Sequence, residues 1–269
     1  MQSKFREFTK PDVSVAVKGH YEKMRKNQTF DYVKRMHKKY LNFRKPMELW
    51  DAMKSLDVLI DVSDPDLDLP NVQHLIQSAE AIRNDKRPDW MQLTGLIHDL
   101  GKTIYLWGND QDGTSQNEQW GLVGDVFVVG CALPDSCVFS EFNVLNPDMK
   151  DERYNTTNGI YSKNCGLDNL VLAWGHDEYL FQVLKNHKTN SLPEEAMAMI
   201  RYHSFYPWHT GMSYSELLCE KDKKYLEWIK DFNKYDLYTK SNKTYKLEEI
   251  IDYYQPIAKK YLGNTLINW

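Results

Sequence analysis

The segment Leu96-Ile-His98-Asp99-Leu-Gly-Lys102 sets an imidazole and a carboxylate side by side among apolar residues. Such surroundings predict a mostly buried helix. A buried ionisable group must be paired or bound to metal, because desolvating a lone charge is costly. Adjacent helical residues point about 100° apart, so His98 and Asp99 need not serve one metal alike. An aspartate can bridge two cations while its neighbour binds one of them. Lys102, three residues after Asp99, falls on the same side and reaches toward anything bound beside the metals. Alone, this dyad equally describes a hydrogen-bonded core feature. Four further residues extend it: His74 before Leu75 and Ile76, His176 in Ala-Trp-Gly-His-Asp-Glu-Tyr, His203 in Ile-Arg-Tyr-His-Ser-Phe-Tyr, and Asp236 in Phe-Asn-Lys-Tyr-Asp-Leu-Tyr. The order H…HD…H…H…D offers one ligand or dyad per successive helix, as a bundle-core metal site needs. Imidazole and carboxylate without thiolate suit iron, manganese or zinc. Two cations held this way would polarise a bound oxygen substituent or a water. Redox and hydrolytic chemistry fit that site equally well.

The elements that must position these residues read as helical. Tyr21, Met24, Phe30, Val33 and Met36 recur at helical spacing, and Leu49, Met53, Leu56 and Leu59 repeat the pattern after Pro46. Asn71 is placed to cap the helix carrying His74, Leu75, Ile76, Ala79 and Ile82. Pro88-Asp89 opens the helix of Leu93, Leu96 and Ile97, which stops near Gly101. An apolar helix is expected from Asp168 through Leu180. Ser191-Leu-Pro-Glu194 matches a capping box announcing another, to about Phe205. Two more are expected near 221–232 and 247–262, the second containing Pro256. Residues 122–133, with Gly124 and Gly130, read as short extended pieces or a buried loop. Asn109–Glu118, rich in Gly, Ser, Asn, Asp and Gln, reads as a surface insertion. His20, His37 and His187 lie in polar surroundings and are expected at the surface.

Composition narrows the classes. With 34 basic and 38 acidic residues in 269, the net charge of −4 gives no footprint for nucleic acid or an anionic membrane. No apolar run is long enough to span a bilayer, and the N-terminal residues contain no apolar signal core, so a cytoplasmic protein is expected. Cys131, Cys137, Cys165 and Cys219 form no C-x-x-C pair and suggest neither disulfides nor a zinc clip. G-x-G-x-x-G, the P-loop, H-E-x-x-H and G-x-S-x-G are absent. Asp64-x-Asp66-x-Asp68 begins like a calcium loop but places Leu69 where glycine is required, so it reads as a polar turn. No repeat or long linker divides the chain, and one domain over 1–269 is expected.

The residue order is that of the HD-domain superfamily, and its longer words are more specific. Leu-Ile-His98-Asp-Leu-Gly-Lys, Ala-Trp-Gly-His176-Asp-Glu-Tyr, Arg-Tyr-His203-Ser-Phe-Tyr-Pro-Trp-His-Thr-Gly and Asp-Phe-Asn-Lys-Tyr-Asp236-Leu-Tyr-Thr-Lys resemble myo-inositol oxygenases. So do Asp61-Val-Ser63-Asp-Pro-Asp and Val-Gly124-Asp125; the likeness runs from about Phe5 to Trp269. It implies an all-α, mostly helical, HD-type bundle with additional helices and short extended pieces, acting as a monomer. It implies a non-haem centre of two iron ions, mixed-valent Fe(II)/Fe(III) when active, cleaving myo-inositol with O2 to D-glucuronate. By resemblance His74, His98, Asp99 and Asp236 hold one iron and His176 and His203 the other, with Asp99 bridging. Lys102 and Asp99 carry the catalytic roles. Lys102 also meets the substrate, with Arg6, Asp61, Ser63, Gly124, Asp125, Ser204 and Phe205 forming the polyol pocket. His209 reads as a structural neighbour of the ligands. An HD-type phosphohydrolase is the alternative, and it would gather several basic residues around an anionic substrate.

Overall fold

The computed structural model describes residues 14–64, 70–237 and 244–269. Arg6 and the Asp66 and Asp68 of the polar turn lie outside the described residues. The described chain is mostly helical, with one two-stranded sheet.

The apolar series from Tyr21 to Met36 forms two helices, α1 (Val15–Asn27) and α2 (Phe30–Tyr40). The break has a local cause: Thr29 leaves the helical region and its hydroxyl accepts the Tyr32 N–H at 3.1 Å, starting a new helix. Strand β1 (Pro46–Glu48) pairs antiparallel with the C-terminal β2 (Leu266–Asn268), Met47 opposite Ile267. Trp269 is buried beside them and its indole N–H donates to the Met47 carbonyl, so the aromatic tail is a packing device.

Helix α3 (Leu49–Ser55) follows β1 directly, and α4 (Asn71–Asn84) packs on α5 (Asp89–Ile97) in the middle of the core. Asn71 does not cap α4. Pro70 precedes the helix, Asn71 is its first residue, and the Asn71 amide donates to Asp99 instead. The helix of the His-Asp dyad also ends sooner than expected, at Ile97, and a 3-10 turn covers Leu100–Leu106.

Residues 122–133 form the expected extended pieces and buried loop. They take as partner a segment expected to be helical: Val129 N–H donates to Val171 and Ala173 N–H to Phe127. From Leu170 to Gly175 the chain is therefore extended, and α6 (His176–Asn186) begins only at the histidine. An apolar run buried on all sides carries no period to separate strand from helix, so pairing decided.

Helix α7 (Glu194–Tyr202) starts without the capping box, since the Ser191 hydroxyl donates to the Tyr261 carbonyl at 3.0 Å. A short α8 (Tyr206–His209), then α9 (Glu220–Asp236) and α10 (Leu247–Leu262), complete the described chain. Pro256 lies inside α10. Among the described residues no helix is long and apolar enough to cross a membrane.

Asn109–Glu118 is a surface segment, but a strapped one. Asp112 takes Lys39 and the Tyr40 hydroxyl, its carbonyl takes the Tyr32 hydroxyl, and Thr114 is buried. His20 is not at the surface: it shares the inner face of α1 with Tyr21 and Met24, and its Nε2 donates to the Val123 carbonyl at 3.1 Å. His37 and His187 are half-buried.

Candidate metal centre

Five of the six expected ligands stand at helix ends. His98 closes α5, Asp99 follows it, His176 opens α6, His203 closes α7 and Asp236 is the last residue of α9. Only His74 is mid-helix, on α4. The C-terminal turn of a helix exposes unpaired carbonyls and the negative end of its dipole. His98 Nδ1 uses such a carbonyl, Gly95 O at 2.9 Å, and His203 Nδ1 uses Ile200 O at 3.0 Å. His176 Nδ1 meets Leu122 O, also at 2.9 Å. Each carbonyl fixes the ring and turns Nε2 inward.

The inward atoms converge. His74 Nε2 is 2.9 Å from Asp236 Oδ1 and 3.3 Å from His98 Nε2. His176 Nε2 is 2.9 Å from Asp99 Oδ1 and 3.2 Å from His203 Nε2. Asp99 stands between the groups, with Oδ1 also 3.5 Å from His203 Nε2 and 3.8 Å from His98 Nε2. All six side chains are buried. The 3-10 turn after Asp99 brings the groups together: a Cβ on Gly101 would lie 2.0 Å from the His176 carbonyl, so only glycine allows this approach.

These residues fit metal ions. A ring nitrogen facing a carbonyl must carry the hydrogen, so neutral His176 and His203 present bare Nε2 lone pairs to one another at 3.2 Å. A metal ion between them resolves that contact, as does a proton shared by the pair when no ion is bound. Burial penalises a protonated His203, but Asp177, Asp99 and Asp236 outweigh it and raise its pKa to about 9. Burial dominates at His98 and lowers its pKa. Both ligand carboxylates resist their burial. Lys102, His98 and His176 hold Asp99 well below the usual carboxylate range, and His74 and His98 do so for Asp236.

Beside this cluster an open polar cavity is lined by Asp61, Ser63, Lys102, Gly124 and Ser204 together with His74, Asp99, His176, His203 and Asp236. Lys102 Nζ donates to Asp61 Oδ2 at 2.7 Å and Asp99 Oδ2 at 2.8 Å. Burial opposes both charges of this pair, yet mutual attraction raises the Lys102 pKa and lowers that of Asp61. Ser63 orients Asp61 through its N–H and hydroxyl, at 2.9 and 2.6 Å. Gly124, at φ +121°, turns the chain where a Cβ would meet Met24 Sδ at 2.8 Å.

Two expected pocket residues are not on the cavity wall. The Asp125 carboxylate is fully buried in a pair with Arg25, at 2.8 and 2.9 Å, and takes the Val138 N–H as well. Phe205 packs in the core against Tyr202, Trp208 and Tyr214. His209 stands behind the site, its Nε2 donating to the His203 carbonyl at 2.9 Å, and burial lowers its pKa to about 4.

Tyr21, Asn71 and Tyr206 line the cavity without having been anticipated. For Asn71 a signal existed: it precedes His74 by three residues, which puts both on one helical face. Tyr21 was indistinguishable from the apolar series around it.

The family model for myo-inositol oxygenase matches residues 14–269. Inositol oxygenase 4 of Arabidopsis thaliana is 48% identical, over 89% of this chain and 74% of its own length. Inositol oxygenase of Mus musculus is 45% identical over 97% of this chain and 90% of its own. That of Danio rerio is 44% identical over 98% and 93%. The chain belongs to the myo-inositol oxygenase family.

Proposed function

We propose that this protein is a non-haem di-iron oxygenase that opens the ring of myo-inositol with O2 to give D-glucuronate. One observation carries the metal part: imidazoles tethered to carbonyls on their outer faces turn bare nitrogens on one another, with Asp99 between the two groups. His74, His98, Asp99 and Asp236 would hold one ion, and His176, His203 and the shared Asp99 the other. Bound there, two irons, mixed-valent when active, supply the electron-transfer chemistry that lets O2 take part in breaking a carbon–carbon bond. The balance myo-inositol + O2 → D-glucuronate + H2O + H+ closes without another reductant.

The chain's own residues bind and orient the polyol. An uncharged polyol needs many placed donors and acceptors. Asp61 accepts, Ser63 and Ser204 do both, and Lys102 donates. The resemblance adds Arg6, Gly124, Asp125 and Phe205 to the contacts. With the Asp125 and Phe205 side chains engaged elsewhere, the main chain beside them is the part available. Lys102, fixed between Asp61 and the bridging Asp99, puts one positive charge where a substrate hydroxyl loses its proton. The pairing of β1 with β2 and the spread of ligands from His74 to Asp236 support one catalytic unit over the whole chain.

A phosphoester substrate is disfavoured. Among the described residues lining the cavity Lys102 is the sole lysine or arginine, and Asp61 and Asp99 already neutralise it. Arg201, two residues before His203, pairs with Glu178.

The test is oxygen uptake by iron-loaded protein given myo-inositol, with glucuronate measured in the same vessel. One glucuronate per O2, lost in His98→Ala, is the expected result. No uptake with two irons verified per chain would overturn the substrate assignment.

A further inference from the structure

The geometry points to Asp177 as a positioning residue for the second metal ion, the one assigned to His176 and His203; this rests on the two-iron reading above. Asp177 is buried, 2% exposed, directly after His176 in α6. Its Oδ2 lies 3.4 Å from His176 Nδ1 and its Oδ1 lies 3.2 Å from His203 Nδ1. Oδ1 makes no hydrogen bond, because the His203 ring is directed to the carbonyls of Met199 and Ile200. The carboxylate therefore acts on both imidazoles as a charge placed on their outer edges.

Asp177 is not itself a ligand. The Nδ1 atoms it faces carry hydrogens for carbonyls, while the bare Nε2 atoms face Asp99 on the opposite side. Nor is it neutralised elsewhere. Arg201, the nearby arginine of α7, is committed to Glu178 at 2.7 Å, and among the described residues no lysine or arginine pairs with Asp177. A buried carboxylate left this way is unfavourable until positive charge arrives on the imidazoles or on what they hold.

The two metal groups are otherwise unequal in charge. His74 and His98 have Asp236 to themselves, whereas His176 and His203 have only the shared Asp99. Asp177 restores the balance from behind, making the two imidazoles stronger donors. A carboxylate behind a ligating histidine typically changes metal affinity by about 10–100-fold.

The experiment equilibrates iron-loaded wild type and Asp177→Asn anaerobically with a graded ferrous chelator, reading iron per chain and the Tm of the metal-free forms. The second-ion step is identified as the one missing in His176→Ala. In Asp177→Asn that step should come at roughly 10–100-fold lower chelator. The first step should stay in place and the metal-free Tm should shift little. A second-ion step that does not move, or two steps weakened equally, overturns the inference. Should the asparagine variant not fold, Asp177→Glu moves the charge by one methylene. It should weaken the second ion by a smaller factor with the first unchanged, and an unmoved second step is again the overturning result. Wild type holding one iron in total refutes the two-iron reading itself.

Discussion

Lys102→Ala separates holding metal from meeting substrate. The lysine is 3% exposed and its Nζ joins two carboxylates, at 2.7 and 2.8 Å. Removing one member of a buried ion pair costs about 3–5 kcal/mol, because the other charge stays behind unpaired. The two partners fare differently here. Asp99 still faces His98, His176 and His203, whereas Asp61 keeps only the two hydrogen bonds from Ser63. The loss should thus arise mainly at Asp61 and sit near the low end, about 3 kcal/mol. Unfolding entropy of about 2.1 cal/mol/K per residue gives the 269-residue chain about 0.56 kcal/mol/K. The expected fall in Tm is then about 5 °C. Iron content should hold at the wild-type level, since Asp99 loses a competitor for its charge, while substrate use collapses. Combining Asp61→Asn with Lys102→Ala removes both charges and should recover most of the stability, a coupling of about 2 kcal/mol. Thermal unfolding, iron assay and steady-state kinetics on the four proteins of the cycle decide the matter. An unchanged Tm in Lys102→Ala, or strictly additive losses in the double variant, would refute the charge argument. Iron lost in proportion to activity would refute the substrate role.

Further outcomes follow from single contacts. Gly124→Ala should raise KM for myo-inositol more than it lowers iron content, since its Cβ meets Met24 at 2.8 Å at a φ of +121°; an unchanged KM would remove Gly124 from the pocket. His20 is held neutral by burial, which lowers its pKa. The unfolded chain then binds the extra proton, so stability is full above pH 6.5 and falls as pH drops through that value toward the folded pKa. The slope from this residue is at most about 1.4 kcal/mol per pH unit. His20→Gln should flatten the stability profile between pH 6.5 and 5 in denaturant titrations; identical slopes would contradict this. Arg25→Met should destabilise by about 3–5 kcal/mol, since it strands Asp125 in a fully buried pair, and Arg25→Met with Asp125→Asn should restore much of that loss. Equal stability of Arg25→Met and wild type would show that the pair contributes nothing.

What the chain's own order of residues determined is the set of candidate ligands and most of the helices that carry them. Histidines and aspartates interrupting apolar helical periods are costly unless paired or metal-bound, so His74, His98, Asp99, His176, His203 and Asp236 stood out, and all six converge. A local signal, the paired Gly124 and Gly130, also marked the 122–133 segment as non-helical, whereas the break at Thr29 within the first apolar series went unread. Whatever depended on a distant partner was illegible. Residues 170–175 are extended because 127–129 offer them hydrogen bonds, and an all-apolar run has no period to announce it. Asn71 and Ser191 have the chemistry of caps, yet their side chains are claimed by Asp99 and Tyr261, from 28 and 70 positions away. Asp125 was expected in the polyol pocket from its motif but spends its carboxylate on Arg25, 100 positions earlier. The closeness of Asp177 to His203 exists only because α6 and α7 pack together. Side-chain type and helical period are properties of the chain; which buried charge faces which is a property of packing, where burial makes every unpaired group expensive.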